Sequence, residues 1–190
     1  MNRGILLIVS GLSGAGKGTI CKRLLEKYPD YRLSVSVTDR APRPGETHGK
    51  EYFFLTTDAI EEKIRKGELL EHARYVNHYY GTPRDWVEEQ MEQGNNVILE
   101  IELQGAFQVR EKMPEAVLIF IMPPSMEELE RRLRGRGTET EEEIQKRLSR
   151  AEEELAFVDR YDHVIVNEDV EKSVDLLHNI VLQSKQKTEN

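Results

Sequence analysis

With 190 residues the chain holds about one domain at roughly 150 residues each, which excludes a multidomain machine. Its 38% hydrophobic and 33% charged residues suit a well-solvated globular protein, and 27 basic against 35 acidic side chains leave a net charge of -8, which repels a polyanion and argues against nucleic acid as the main partner. Cys21 stands alone and excludes an internal disulfide, and no apolar run approaches the roughly 18 residues of a membrane span.

The first apolar run is short and leads straight into glycines, so residues 5–9 are expected as a strand, not a signal peptide, with the cytoplasm as the compartment. A helical pattern follows over 17–28. From residue 34 the rhythm breaks: Pro42, Pro44, Gly45 and Gly49 precede a short strand at 52–54, and the stretch to about 93, with a helix at 83–93, is expected as an inserted subdomain. A strand at 97–103 turns acidic at its far end, a helix covers 104–113, and a buried strand covers 117–122. Residues 125–161 hold two capping boxes, Ser125 with Glu128 and Thr140 with Glu143, on either side of Gly135 and Gly137, which predicts a helical hairpin projecting from the sheet. A strand at 164–166 and a helix at 171–185 complete the chain, with the polar tail beyond Leu182 expected to fray. Runs 5–9, 117–122 and 164–166 read as strands buried on both faces, and their alternation with helices predicts an α/β domain with a parallel sheet. Residues 1–33, 94–124 and 162–190 would form its core, within one domain spanning the chain.

Directly after the first strand stands GLSGAGKGT, with Gly11, Gly16 and Lys17 at the spacing of a Walker A loop. Such a loop turns its N–H groups inward around phosphates, and its lysine reaches the β and γ oxygens. Gly11, Ser13, Gly14, Ala15, Gly16, Lys17, Gly18 and Thr19 are therefore the candidate triphosphate site, against the plainer reading of a glycine-rich turn. The hydroxyl residue expected after the lysine is Gly18, with Thr19 one place later; GKGT resembles the loop of adenylate kinases and points to Mg²⁺ held mainly by phosphates and water. A GTPase would carry Asn-Lys-x-Asp after a strand, where this chain has Asn167, Glu168 and Asp169.

Arg40 and Arg43 lie three apart in the Pro-rich loop, with Ser36, Tyr52 and Tyr80 as hydroxyl donors, a set suited to a phosphate dianion. Alternatively, these arginines pair with Asp39 or Glu46 in a solvated loop. The segment SVSVTDRAPRPGE closely resembles the nucleoside-monophosphate site of guanylate kinases. So do GLSGAGKGT, GKEYFF, YYGT, LEIELQG, RLRGRG, EIQKRL and VIVN, which recur in the family's order.

That resemblance implies a P-loop kinase fold with a five-stranded parallel sheet, and transfer of the γ-phosphoryl group of ATP to GMP, with dGMP beside it, in purine nucleotide metabolism, with Mg²⁺. It further implies that Ser36, Arg40, Arg43, Tyr52 and Tyr80 hold the GMP phosphate, while Glu71 and Thr82 read guanine. A carboxylate suits the adjacent N1–H and N2–H donors, and a hydroxyl suits O6. Taken by themselves, Glu71 could be a solvated helix residue and Thr82 a helix N-cap. Glu100 and Glu102, where the family usually has Asp-x-Asp, are implied near the Mg²⁺ water shell and near the guanine edge respectively. Asp39 replaces a threonine common in the family and brings a negative charge beside Arg40.

The hairpin carries Arg131, Arg132, Arg134, Arg136 and Arg147. A charge run is often a solvated face, but the resemblance assigns Arg132, Arg136 and Arg147, with Lys17 and Arg40, to catalysis, and Asn167 to the adenine ring. Phosphoryl transfer needs such charge compensation. The alternatives are a catalytically silent guanylate-kinase-like scaffold, which would typically have a degraded loop and lid, and a kinase of a ribosyl phosphate, which would have no use for Glu71 and Thr82.

Overall fold

The computed structural model describes residues 3–135, 137 and 139–188. In chain order the first part runs β1 (Leu6–Gly11), α1 (Lys17–Lys27), β2 (Tyr31–Leu33), β3 (Ser36–Thr38), β4 (Tyr52–Phe54), α2 (Thr57–Arg65), β5 (Leu69–Tyr75) and β6 (His78–Pro83). The second part runs α3 (Arg84–Glu92), β7 (Asn96–Glu100), α4 (Leu103–Lys112), β8 (Val117–Met122), α5 (Met126–Arg134), α6 (Glu141–Leu155), a 3-10 turn (Val158–Arg160), β9 (His163–Val166) and α7 (Val170–Thr188).

A parallel sheet of order β2-β7-β1-β8-β9 forms the core, with β1 at its centre. Leu6, Leu7, Ile8 and Val9 are all buried because helices cover both faces, which is why this strand reads as an unbroken apolar run. Register places Val9 beside Glu100 of β7 and Gly11 beside Ile121 of β8, so the glycine loop and the acidic end of β7 emerge at the same carboxyl edge. Ligands of open α/β sheets bind at that edge.

The second sheet has four strands in the order β4-β3-β6-β5 and a small core of Val37, Ile60 and Leu69. Val76 and Asn77, both at positive φ, close the β5–β6 hairpin through a two-residue turn. Helix α4 ties the sheets together: the Gln108 amide donates to the His72 carbonyl and accepts from the His72 N–H, both at 3.1 Å. Lys112 Nζ donates to the Leu69 carbonyl at 2.8 Å.

Several expectations change. The strand expected at 97–103 ends at Glu100; Glu102 caps α4 and Leu103 is already helical. β9 is not buried on both faces: among the described residues it is the edge strand beside β8, with Ile165 buried on one face and Val164 and Val166 exposed on the other. A three-residue apolar run carries no information on whether both of its faces are covered. Helix α7 continues beyond Leu182 to Thr188, so the polar tail is helical that far, and residues 189–190 lie outside the described residues. Thr140 and Glu143 form the full reciprocal cap, whereas Ser125 accepts from the Glu128 N–H while the Glu128 carboxylate turns to Arg131 and Arg132.

Candidate active site

Gly16 sits at φ 97° as the N-cap of α1, and a Cβ there would come 2.5 Å from Asn167 Nδ2. The loop and the segment after β9 thus interlock, with Asn167 Nδ2 donating to the Ala15 carbonyl at 2.8 Å and Asn167 Oδ1 accepting from Ser173 Oγ at 3.1 Å. Lys17 Nζ donates to the Gly11 and Leu12 carbonyls at 2.6 and 3.1 Å. Burial pushes its ammonium pKa down, against the opposing pull of the Glu100, Glu154 and Glu102 carboxylates. Burial likewise pushes the Glu100 carboxyl up, opposed by Lys17. A Cβ on Gly18 would stand 3.5 Å from Glu100 Oε1, so that carboxylate borders the place of the missing loop hydroxyl. Thr19 is exposed. Burial, with Glu100 nearby, lifts the Cys21 thiol to about 12 and leaves it protonated.

Helix α5 is anchored because Leu129 and Leu133 pack on Gly14 and the core. Its Arg132 donates to Glu128 Oε1 at 2.8 Å, to the Ala15 carbonyl at 3.3 Å and to the Asn167 carbonyl at 2.8 Å. From α6, Arg147 donates to Ser13 Oγ at 3.0 Å and pairs with Glu139 at 3.2 Å. The solvated-face reading holds for Arg131, held by Glu128, and for Arg134, held by Glu130 and Glu141. Arg136 lies outside the described residues. A cavity of about 450 Å³ lies among Ser13, Lys17, Glu100, Glu102, Arg147 and Arg150.

On the second sheet, Ser36 pairs with Tyr52, and Thr38 with both Phe54 and Tyr80. Directly opposed residues share a face, so Ser36, Tyr52 and Tyr80 lie together, and the Tyr52 and Tyr80 rings meet edge to face at 5.9 Å. Arg40 lies 5.4 Å over the Tyr52 ring, and its Nη2 donates to both oxygens of Glu46 at 2.8 and 2.9 Å. Arg43 is exposed, and its backbone N–H donates to the same carboxylate at 2.7 Å. Asp39 does not face Arg40: it accepts from Thr57 Oγ1, the Tyr79 N–H and His78 Nδ1 at 2.9 to 3.1 Å. Burial would raise its pKa, but those hydrogen bonds outweigh it and hold the carboxyl below its usual range.

Glu71 is neither helical nor solvated; it lies on β5 at 7% exposure and accepts from Thr82 Oγ1 at 2.7 Å. Thr82 is fully buried and is not a cap, because Pro83 holds the N-cap position of α3. Burial pushes the Glu71 carboxyl up, with Thr82 and then Lys112 opposing. Gly105 in the first turn of α4 leaves room for that carboxylate, since a Cβ there would come 3.1 Å from Glu71 Oε2. The same turn begins at Glu102, which lines the phosphate-loop cavity, so one helix end separates a buried acid–hydroxyl pair from a triphosphate-type loop. Such an arrangement can hold two anionic ligands face to face.

The sequence model of guanylate kinases matches residues 3–184. The chain belongs to the guanylate kinase family. Two relatives named guanylate kinase, from Caldanaerobacter subterraneus subsp. tengcongensis and Clostridioides difficile, are each 51% identical to it. The alignments cover 96% and 98% of this chain and 89% and 91% of those proteins. The crystal structure of guanylate kinase from Anaplasma phagocytophilum is 39% identical, with a TM-score of 0.71, over 97% of this chain and 87% of that one. Against that family background, the residues that reading along the chain passed over are Gln108 and Arg150, whereas Glu46, named as a possible partner of the loop arginines, does pair with Arg40. Arg150 had a signal: it stands three residues after Arg147, on the same helical face. Gln108 had none, because it acts through a partner, His72, set by tertiary packing.

Proposed function

We propose that the two sites joined by α4 carry out the guanylate kinase reaction with the following division of labour. The enzyme is an ATP:GMP phosphotransferase, converting ATP and GMP to ADP and GDP. ATP phosphates bind along Gly11 to Thr19, with Asn167 bracing that loop and lying near the base. Ser36, Arg40, Arg43, Tyr52 and Tyr80 hold the GMP phosphate, and Glu71, Thr82 and Glu102 read guanine.

The observation that carries this assignment is the buried Glu71–Thr82 hydrogen bond of 2.7 Å, on the sheet that also bears Tyr52 and Tyr80. A buried carboxylate costs free energy unless something pairs with it. Guanine N1–H and N2–H supply that pairing, whereas adenine presents a bare N1. The ribosyl-phosphate alternative leaves this pair without a use, and the silent-scaffold alternative leaves Lys17, Arg132 and Arg147 at the loop without one.

No general base is needed, because the GMP phosphate is already an oxyanion. Lys17, Arg132 and Arg147 compensate charge spreading over the transferred group, and Arg40, released from Glu46 or shared with it, aligns the acceptor. Arg136 is assigned to the same work by its place in RLRGRG. Mg²⁺ fits the donor set. Glu100 offers one carboxylate beside Gly18, and among the described residues no group of three or more His, Cys, Asp or Glu is placed to hold a metal, which suits a cation held mainly by phosphates and water. When bound it would neutralise phosphate charge, and Glu100 would be the residue to hold its water shell. Among the described residues no helix is long and apolar enough to cross a membrane. The test is a product assay with ATP, Mg²⁺ and a panel of nucleoside monophosphates: GDP from GMP is expected, and ATP hydrolysis alone would overturn the assignment.

A further inference from the structure

We infer that Arg150 is a positioning residue for guanine recognition, acting through Glu102; the inference rests on the reading of Glu102 as a base contact. Arg150 Nη2 donates to Glu102 Oε2 at 2.6 Å, joining the lid helix to the N-cap of α4. Its Nε is held at 3.0 Å by Glu154, a carboxylate only 16% exposed, so the guanidinium fork is aimed before it meets Glu102. Glu102 itself is 76% exposed.

An exposed glutamate samples many rotamers, and immobilising such a side chain on binding costs conformational entropy. The glutamate's second side-chain methylene both adds that freedom and supplies the reach to Arg150. Holding Oε2 on Arg150 removes the freedom and leaves Oε1 for a guanine N–H. GMP therefore meets a preset carboxylate, and the lid helix that carries Arg147 is tied to the base site.

The experiment is a cycle of Arg150→Ala, Glu102→Asp and the double variant in steady-state kinetics. Arg150→Ala should raise the KM for GMP about three- to fivefold, the scale of an exposed ion pair, with kcat and the KM for ATP changed less than about twofold. In the Glu102→Asp background, where the side chain is too short for the contact, Arg150→Ala should have no further effect, and Arg150→Lys should restore part of the loss in the native background. An unchanged GMP KM in Arg150→Ala, or an equal effect in both backgrounds, would overturn the inference. Glu102→Ala separates the underlying reading: if the GMP to AMP ratio of kcat/KM stays at the native value, Glu102 is no base contact and the inference falls with that reading. If the ratio drops while Arg150→Ala is silent, only the Arg150 role is lost.

Discussion

Glu71 is ionisable, buried and paired with a neutral hydroxyl, so burial raises its pKa in the folded state. A raised acid favours the folded state while protonated, and that contribution is lost as pH rises through the folded value; at neutral pH the ionised group opposes folding. Glu71→Gln should therefore melt no lower than the native protein near neutrality. It should nevertheless lose about 2 to 4 kcal/mol of GMP recognition, because one acceptor becomes a donor facing N–H groups. Thermal melts beside kcat/KM for GMP and AMP check both halves; an unchanged ratio in a folded variant would remove Glu71 from base reading. For the native enzyme, kcat/KM for GMP should fall as pH drops through that raised pKa, and this limb should flatten in Glu71→Gln. Lys17 offers a separate test, since its ammonium rests on two loop carbonyls rather than on packing. Lys17→Met should lower turnover about a hundredfold or more through lost charge stabilisation, as single-turnover rates would report.

Among the elements, the two helices of the α5–α6 hairpin differ in attachment. α5 buries Leu129 and Leu133 against the phosphate loop, whereas the longer α6 buries only Ile144 and Ala151. Its N-terminus instead depends on the Thr140–Glu143 box, with Thr140 Oγ1 accepting from the Glu143 N–H at 3.3 Å and Glu143 accepting from the Thr140 N–H at 2.7 Å. Thr140→Ala should cost α6 about 1 kcal/mol. Hydrogen exchange should then speed up in α6 and leave α5 unchanged, with turnover reduced because Arg147 is carried by the frayed helix. Equal acceleration in both helices would mean that the hairpin opens as one unit.

At the scale of the molecule, two sheets with separate cores are joined through α4, and the α5–α6 hairpin meets the glycine loop at the carboxyl edge of the larger one. In-line transfer requires opposed anions to be brought to contact and water to be shut out. Spectroscopic labels at Asp58 on α2 and Lys146 on α6, both exposed, should approach when ATP and GMP are bound together and less with either alone. A distance that ignores both ligands would show that transfer proceeds without closure of the small sheet and lid.

The glycine loop between β1 and α1, the parallel core and the α5–α6 hairpin were legible along the chain because each is written in residues close in sequence: glycines beside a lysine, unbroken apolar runs, a Thr three places before a Glu. Of the four-stranded sheet only β4 was read along the chain: β3 is three residues long and too short to display a period, and β5 and β6 carry no strict alternation. Which carboxylate meets Arg40, that Asp39 turns to Thr57 and His78, and that Arg150 reaches Glu102 were decided only by tertiary structure. These contacts join residues 6, 18, 39 and 48 positions apart. A side chain's chemistry can be named from its type, but its partner is chosen by strand register and helix placement, and those follow from burying two cores at once.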